Sequence, residues 1–196
     1  MLELVLIRHG ETEGSRRKAF VGRTDLELTE AGRAQAHTLK EKLAREIPGA
    51  VFSSPFKRTF QTAEIINKAF GLPVQTVDSL KERDFGLWDN LTLDEIKSKY
   101  PAEAERWLTD PTSPIPGGEN LSQFRQRIIS FLDGLIPDHP KGRILLVTHG
   151  GCIRTMITHL LRFKPEECWR FKIDTGRIAK VEVDECGYAY LTLLNG

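Results

Sequence analysis

The stretch LELVLIRHGET, residues 2–12, joins a short apolar run to a polar end that contains Arg8, His9 and Gly10. Apolar runs of this length, bounded by turn residues, are typical of strands that are buried on both faces of a parallel sheet. Two similar runs follow at residues 50–52 and 144–147. Helix signals lie between the three runs, so the sequence predicts a three-layer α/β/α sandwich with a mostly parallel central sheet.

The helices are predicted from capping residues and from apolar side chains that recur with a period of 3.6 residues. Their predicted starts are Thr29, Ser54-Pro55, the capping box 92–95, Asn120 and Gly150. The first helix has an apolar face that reaches Ile47, and the second ends before Gly71. Further strands are predicted at 73–77, 171–173, 179–183 and 188–193, of which the last three extend the sheet, partly in antiparallel orientation.

The composition is that of an ordinary globular domain. A length of 196 residues predicts one domain over 1–196, and 28 Lys and Arg against 27 Asp and Glu give a net charge of +1. Without a basic excess we expect no nucleic-acid partner, and without a long apolar run or a signal-peptide start we expect no membrane partner. Three cysteines without metal-ligand spacing predict reduced thiols. We therefore expect a cytoplasmic enzyme or binding domain, as a monomer or homodimer.

Polar residues follow three of the predicted strands. Arg8 and His9 follow the first, Arg58 comes soon after the second, and His149-Gly150 follows the third. Ligands of open α/β sheets bind at the carboxyl ends of the strands, and a glycine after each histidine lets backbone approach a ligand closely. Arg58 falls in the first turn of its predicted helix, where a cation opposes the helix dipole unless an anion is bound. The sequence thus predicts an oxyanion pocket with two imidazoles.

Each of these residues, taken alone, is more often structural than functional. The remaining histidines, His37, His139 and His159, keep the structural interpretation. His9 and His149 differ because two cations and two glycines share their edge of the sheet. The joint occurrence, and no single residue, indicates a site.

Six motifs resemble those of the histidine phosphatase superfamily, also called the phosphoglycerate mutase-like family. The first is residues 6–12, Leu-Ile-Arg-His-Gly-Glu-Thr, which is similar to the family's signature. The others follow in the family's order at 28–32 with 35–36, 53–55 with Arg58 and 61–63, 80–88, 116–119 and 147–151. The resemblance covers essentially the whole chain and implies a phosphoglycerate mutase-like fold with a phosphoryl-transfer site.

The resemblance also implies roles for individual residues. His9 is expected to be the nucleophile that forms a phosphohistidine, with Glu82 as general acid and base and Asp84 as the second choice for the acid. Arg8, Arg58 and His149 are expected to surround the phosphate oxygens, so no metal and no cofactor are implied. The remaining substrate-binding residues are expected to be Ser15, which stands where the family usually has asparagine, Gly22, Arg23 and Gly150.

The expected substrate is a small-molecule phosphomonoester. Family mutases shield their pocket with longer insertions and a C-terminal tail, whereas here the cover segment (about 88–118) is modest and the chain ends after its last predicted strand. A phosphatase is therefore expected rather than a mutase. Residues 169–176, WRFKIDTG, resemble a stretch of the α-ribazole phosphatases, which implies α-ribazole 5′-phosphate, from cobalamin biosynthesis, as substrate. Alternatives are a broad-specificity phosphatase of sugar phosphates, phosphoserine or phosphoglycerates, a phosphoglycerate mutase, and a catalytically inactive phosphate-binding module.

Overall fold

Six strands form one mixed sheet in the computed structural model, which describes residues 1–196. The strands are β1 (Leu2–Arg8), β2 (Ala50–Ser53), β3 (Val74–Thr76), β4 (Gly142–Thr148), β5 (Ile178–Val183) and β6 (Ala189–Leu194). Their order is β3-β2-β4-β1-β5-β6. The first four in this order are parallel, whereas β5 runs antiparallel to β1 and β6 antiparallel to β5. The predicted sheet, with its antiparallel C-terminal extension, is confirmed.

Helices cover both faces of the sheet. The helices are α1 (Glu13–Arg16), α2 (Glu30–Leu43), α3 (Lys57–Asn67), α4 (Leu93–Lys99), α5 (Pro101–Thr109), α6 (Leu121–Asp138) and α7 (Gly150–Leu160). Because side chains alternate along a strand, Leu4 and Leu6 of β1 pack with α6 and α7, and Val5 and Ile7 pack with α2 and α3. The three-layer α/β/α sandwich is confirmed. None of the helices combines the length and apolar character needed to cross a bilayer.

Residues 88–118, the expected cover segment, form α4 and α5 around a small apolar core of their own. That core contains Trp88, Ile96 and Trp107, which are buried. The ring of Phe20 packs edge-to-face on Trp88 and Trp107, with centroids 6.1 and 5.5 Å away. The segment is thereby fixed against the loop that follows α1.

The helix predicted to start at Ser54-Pro55 starts at Lys57 instead. Phe56 occupies its N-cap without a side-chain hydrogen bond, and the carboxylate of Asp25 accepts the hydrogen bond of the Lys57 N–H at 2.7 Å. A carboxylate of the chain itself thus lies at this helix N-terminus, and its charge acts to raise the pKa of Arg58. The hydroxyl of Ser54 is used elsewhere, in contact with His149.

Two further expectations are wrong. Helix α2 ends at Leu43, so Ile47 lies outside it and is 76% exposed. The segment 171–173 is irregular and not a strand, because side chains bind its carbonyl groups where a neighbouring strand would have done so. Its three carbonyls accept hydrogen bonds from Arg154, Asn195 and Arg8, in that order.

Candidate active site

His9 lies directly after β1 and is 95% buried, with 5% of its surface exposed. Its Nδ1 is 2.7 Å from the carbonyl oxygen of Gly10, which can only accept a hydrogen bond. Nδ1 therefore carries the proton of the neutral ring, and the free lone pair is on Nε2. The N–H of Gly10 donates to Thr62 Oγ1 at 3.1 Å, and the N–H of Gly176 donates to the His9 carbonyl at 2.9 Å. The chain thus holds one nucleophilic nitrogen in a fixed orientation.

His149 lies directly after β4, and its ring centroid is 5.3 Å from that of His9. Its Nδ1 accepts a hydrogen bond from Arg58 Nε at 3.3 Å, so the ring proton is on Nε2, which donates to Ser54 Oγ at 2.9 Å. The structure therefore brings together the two imidazoles that the sequence placed at one edge of the sheet.

Arg58 is fully buried behind His149. Besides its bond to His149, it donates from Nη1 to the Thr24 carbonyl and from Nη2 to the Gly22 carbonyl, both at 2.9 Å. Burial lowers the pKa of this guanidinium to about 10, although the carboxylate of Glu82 acts to raise it. The resemblance implies that Arg58 and His149 border the phosphate; neither is among the residues that line the cavity beside His9, and Arg58 joins loop 21–24 to His149.

Burial lowers the pKa of both His9 and His149 well below the usual 6.5. The positive charges of Arg58 and Arg8 lower both values further, because each disfavours a second cation nearby. Both rings are therefore neutral at pH 7, and His9 keeps its lone pair in mildly acidic solution as well.

The free energy of unfolding is expected to fall as the pH drops below about 6.5. The unfolded chain protonates His9 and His149 near that pH, whereas the folded chain keeps both neutral to lower pH. The contribution of the two neutral rings to the free energy of unfolding is complete above pH 6.5. Below that pH it falls by about 1.4 kcal/mol per pH unit for each ring, until the pH reaches the lower pKa that the ring has in the folded chain. Urea unfolding at pH 7.5 and 5.5 measures this loss.

Two variants test whether this pH dependence of stability comes from the candidate site. His9→Gln is expected to remove about half of the loss, because one of the two buried rings no longer titrates. His37 lies exposed on α2, so His37→Gln is the matched control and is expected to leave the loss unchanged. A loss that His9→Gln does not reduce would contradict the lowered pKa of His9.

Arg8, the last residue of β1, lines the same cavity as His9. Its Nη1 donates to the Ile173 carbonyl at 2.6 Å, while its Nε is buried and has no acceptor within the chain. Burial lowers the pKa of Arg8, and the carboxylate of Glu82 acts in the opposite direction. A buried guanidinium N–H without an acceptor is costly, and an anionic oxygen beside His9 would satisfy it.

Glu82 reaches the same site from the loop that follows the short 3₁₀ turn Asp78–Leu80. Its Oε2 accepts a hydrogen bond from the Gly151 N–H in the first turn of α7 at 3.0 Å, and its Oε1 accepts one from the Arg83 N–H at 2.9 Å. A Cβ on Gly151 would displace the Glu82 carboxylate from this position. Glu82, the expected general acid, therefore lies against the N-terminus of α7, where the phosphate is expected to bind.

Arg127 holds the segment that carries Glu82 and was not among the residues predicted from the sequence. Its Nη1 donates to the carbonyls of Ser79 and Lys81 at 2.8 and 2.7 Å, and its Nη2 donates to the carbonyl of Glu82 at 3.1 Å. It also forms a bidentate ion pair with Glu119. The signal in the sequence was a cation on the apolar face of a predicted helix.

Arg127→Met is expected to lower kcat for an alkyl phosphate by about 10- to 100-fold, because Glu82 loses its fixed position. The loss is expected to be smaller for para-nitrophenyl phosphate, whose leaving group needs no acid. Steady-state kinetics with both esters, below the melting temperature of the variant, measures the difference. The matched control is Arg106→Met, which breaks an exposed ion pair with Glu103. Equal losses for both esters would assign Arg127 a structural role only.

The segment 13–23, which consists of α1 and the loop after it, contains three of the residues expected to bind substrate. Ser15 faces the catalytic cavity, but its hydroxyl accepts from the Thr12 N–H at 2.9 Å and donates to the Thr12 carbonyl at 3.0 Å, which caps α1. Arg23 is exposed and pairs with Asp84 at 2.9 Å. Gly22 packs against the Arg83 backbone, where a Cβ would clash. Asp84, the second choice for the acid, is therefore engaged by Arg23 and does not border the cavity of His9.

The catalytic cavity has a volume of about 380 Å³. Of the residues predicted for the site, five line it: Arg8, His9, Ser15, Glu82 and Gly150. The lining residues that were not predicted include Lys18, Phe20, Phe85, Arg154 and Trp169. Helical spacing could have found Arg154, because it lies four residues after Gly150 on the same face of α7. Phe20 and Phe85 come from loops and Trp169 comes from the short 3₁₀ segment Pro165–Arg170, for which helical periodicity gives no signal.

The family model described as histidine phosphatase superfamily (branch 1) matches residues 4–195. The chain belongs to this superfamily. It is 32% identical over 186 residues to phosphoserine phosphatase 1 of Hydrogenobacter thermophilus, which covers 94% of this chain and 88% of that enzyme. The match extends over the strand ends and loops that build the cavity, and so over the whole site.

Two solved structures of phosphatases superpose on nearly the whole chain. The α-ribazole phosphatase of Shigella flexneri has a TM-score of 0.92 at 28% identity and covers 99% of this chain and 96% of its own. A mycobacterial glucosyl-3-phosphoglycerate phosphatase has a TM-score of 0.89 at 27% identity and covers 99% and 98%. Relatives with this fold thus carry the names of phosphatases with different substrates, and the substrate has to be argued from the site.

Proposed function

We propose that this chain is a phosphomonoesterase that works through a phosphohistidine on Nε2 of His9. One observation carries the proposal. The ring of His9 is buried and neutral, its Nδ1 is occupied by the Gly10 carbonyl, and it shares one cavity with the Arg8 guanidinium and the Glu82 carboxyl group. A nucleophile, a cation for the phosphate and a proton donor are the three groups that this chemistry needs.

In the first step the Nε2 lone pair attacks phosphorus and the bond between phosphorus and the ester oxygen breaks. Protonated Glu82 gives its proton to the departing alkoxide, which leaves as an alcohol. Arg8 and the N–H groups at the N-terminus of α7 stabilise the negative charge on the phosphoryl oxygens. Because the tautomer of His9 is already set by Gly10, no separate base has to activate it.

In the second step Glu82, now a carboxylate, removes a proton from a water molecule that attacks phosphorus. The bond between phosphorus and Nε2 breaks, its electron pair returns to the imidazole, and inorganic phosphate leaves. Glu82 is protonated again and the cycle closes. We propose that the reaction is independent of metal ions, since side-chain and backbone donors of the chain take the role that a metal has in other phosphatases.

The substrate that we propose is α-ribazole 5′-phosphate. The segment 169–176, which resembles the α-ribazole phosphatases, contacts the catalytic residues directly. The Ile173 carbonyl binds Arg8, the N–H of Gly176 binds the carbonyl of His9, and Trp169 lines the cavity. A resemblance located at the site supports a shared substrate more strongly than one located elsewhere. Phosphoserine, phosphoglycerates and sugar phosphates are the alternatives.

Phosphate release from these esters, measured with EDTA present, tests the proposal. We expect turnover of para-nitrophenyl phosphate and a kcat/KM for α-ribazole 5′-phosphate at least a hundredfold above that for 3-phosphoglycerate, phosphoserine and fructose bisphosphates. A uniform, weak profile would contradict the substrate but not the chemistry. No turnover of any ester between pH 5 and 8 would contradict the chemistry and favour a phosphate-binding module, and transfer of phosphate between phosphoglycerates would favour a mutase.

A further inference from the structure

An apolar slot of about 100 Å³ opens beside Glu82, on the side of α7. Four aromatic side chains line it: Phe85, Trp107, Phe124 and Trp169. The rings of Trp107 and Trp169 meet edge-to-face with centroids 5.9 Å apart. The guanidinium of Arg154 lies 5.2 Å from the centroid of the Trp169 ring. Walls of this kind bind flat, π-rich groups.

Two of the residues that line this slot have buried N–H donors without an acceptor. They are Trp107, through Nε1, and Arg83, through Nη2. Both residues are more than nine-tenths buried, with exposed fractions of 9% and 5%. Buried donors of folded proteins nearly always have a partner, and an acceptor on a ligand in the slot would provide one for these two donors.

The slot adjoins the catalytic cavity. Glu82, Phe85, Gly151, Arg154 and Trp169 line both spaces. Because Glu82 has to reach the ester oxygen, the leaving group starts next to Glu82 and extends away from His9. The slot therefore lies where part of a leaving group would be held.

We infer that this slot binds a flat heteroaromatic ring of the leaving group, stacked on Trp169 and accepting a hydrogen bond from Trp107 or Arg83. The inference rests on the proposed phosphomonoesterase function and defines the substrate class as phosphate esters that carry such a ring. It assigns specificity to Trp169, Trp107 and Arg83, none of which takes part in the transfer of the phosphoryl group.

A second space beside Glu82 offers the alternative direction for the leaving group. It has a volume of about 490 Å³ and is polar, with Arg23, Lys81 and Asp78 among its lining residues. A hydroxyl-rich sugar or a carboxylate would suit that space better than the aromatic slot. A leaving group held in the aromatic slot makes the reaction sensitive to a change at Trp169, whereas a leaving group held in the polar space does not.

The kinetic test compares α-ribazole 5′-phosphate with ribose 5-phosphate, two esters that differ in the heteroaromatic ring. We expect the ratio of their kcat/KM values to fall by at least about tenfold in Trp169→Ala and to be largely kept in Trp169→Phe, because stacking requires a ring. The matched control is Tyr188→Ala, an exposed aromatic residue outside both spaces, for which the ratio stays unchanged. A ratio that Trp169→Ala leaves unchanged, or a preference for phosphoserine over the aromatic ester, would overturn the inference.

A binding test needs no catalysis. Calorimetry with α-ribazole, the nucleoside without phosphate, is expected to show binding that Trp169→Ala weakens at least about tenfold. Replacing the acceptor nitrogen of its ring by CH is expected to weaken binding as well, since the buried donors then stay unpaired. If no ester is hydrolysed but the nucleoside binds in this way, the proposed function is contradicted and the assignment of the slot is supported. If esters are hydrolysed but the nucleoside does not bind, only the slot assignment is overturned.

Discussion

Replacement of His9 by alanine is expected to lower kcat/KM for para-nitrophenyl phosphate by on the order of 10⁴-fold or more, because the covalent route is lost. The remaining groups, Arg8 and the N-terminus of α7, are expected still to bind phosphate, but they offer no nucleophile. Stopped assays of nitrophenol release measure the loss. His37→Ala, at an exposed position of α2, is the matched control and keeps full activity.

A second variant separates loss of chemistry from loss of fold. His9 donates to the Gly10 carbonyl, and alanine leaves that buried acceptor unpaired. In His9→Asn the side-chain amide can donate to this carbonyl but is no nucleophile. We expect His9→Asn to lose as much activity as His9→Ala while keeping a melting temperature close to that of the wild type. Substantial turnover by either folded variant would remove His9 as the nucleophile.

Glu82→Gln is expected to lower kcat/KM for alkyl phosphates by on the order of 10²- to 10⁴-fold, the usual contribution of a general acid. For para-nitrophenyl phosphate we expect kcat/KM to fall much less, since a nitrophenolate leaves without a proton. Its kcat is nevertheless expected to fall, because no carboxylate then activates water in the second step. Rapid mixing should therefore show a burst of nitrophenol equal to the amount of enzyme, followed by slow turnover.

Asp84→Asn is the control for this assignment, because Asp84 is the neighbouring carboxylate and pairs with Arg23. We expect it to change the activity on both esters by less than about threefold, because asparagine keeps the oxygen that accepts the Gly86 N–H and an ion pair with the exposed Arg23 contributes little. Equal losses of kcat/KM on alkyl and nitrophenyl esters in Glu82→Gln would contradict the role of Glu82. A loss confined to Asp84→Asn would move that role to Asp84.

Features that depend on one segment and its neighbours in the sheet could be predicted from the sequence. The alternation of Leu4 and Leu6 with Val5 and Ile7 shows a strand with two buried faces, and hence two helical layers. The meeting of His9 and His149 follows from the parallel pairing of β1 with β4, in which Arg8 lies opposite Thr148. Local pattern and sheet topology were sufficient for these two results.

Features that depend on contacts between distant loops could not be predicted. Asp25 caps α3 across 32 positions of the chain, so neither the start of that helix nor the source of its anion is visible in its own residues. The guanidinium of Arg58 is bound by carbonyls of loop 21–24, which its own helix does not reveal. The aromatic slot requires Trp107 and Trp169, which belong to segments that no periodicity connects.

The central claim, a phosphohistidine on His9, is tested most directly by trapping the intermediate. Phosphohistidine is more stable in alkaline than in acidic solution, so Glu82→Gln is mixed with labelled para-nitrophenyl phosphate and stopped with alkali, and its peptides are mapped by mass spectrometry. We predict one phosphoryl group per chain, on the peptide that contains His9, with its phosphorus bonded to Nε2. A phosphoryl group on another residue, or turnover without any labelled protein, would contradict the account.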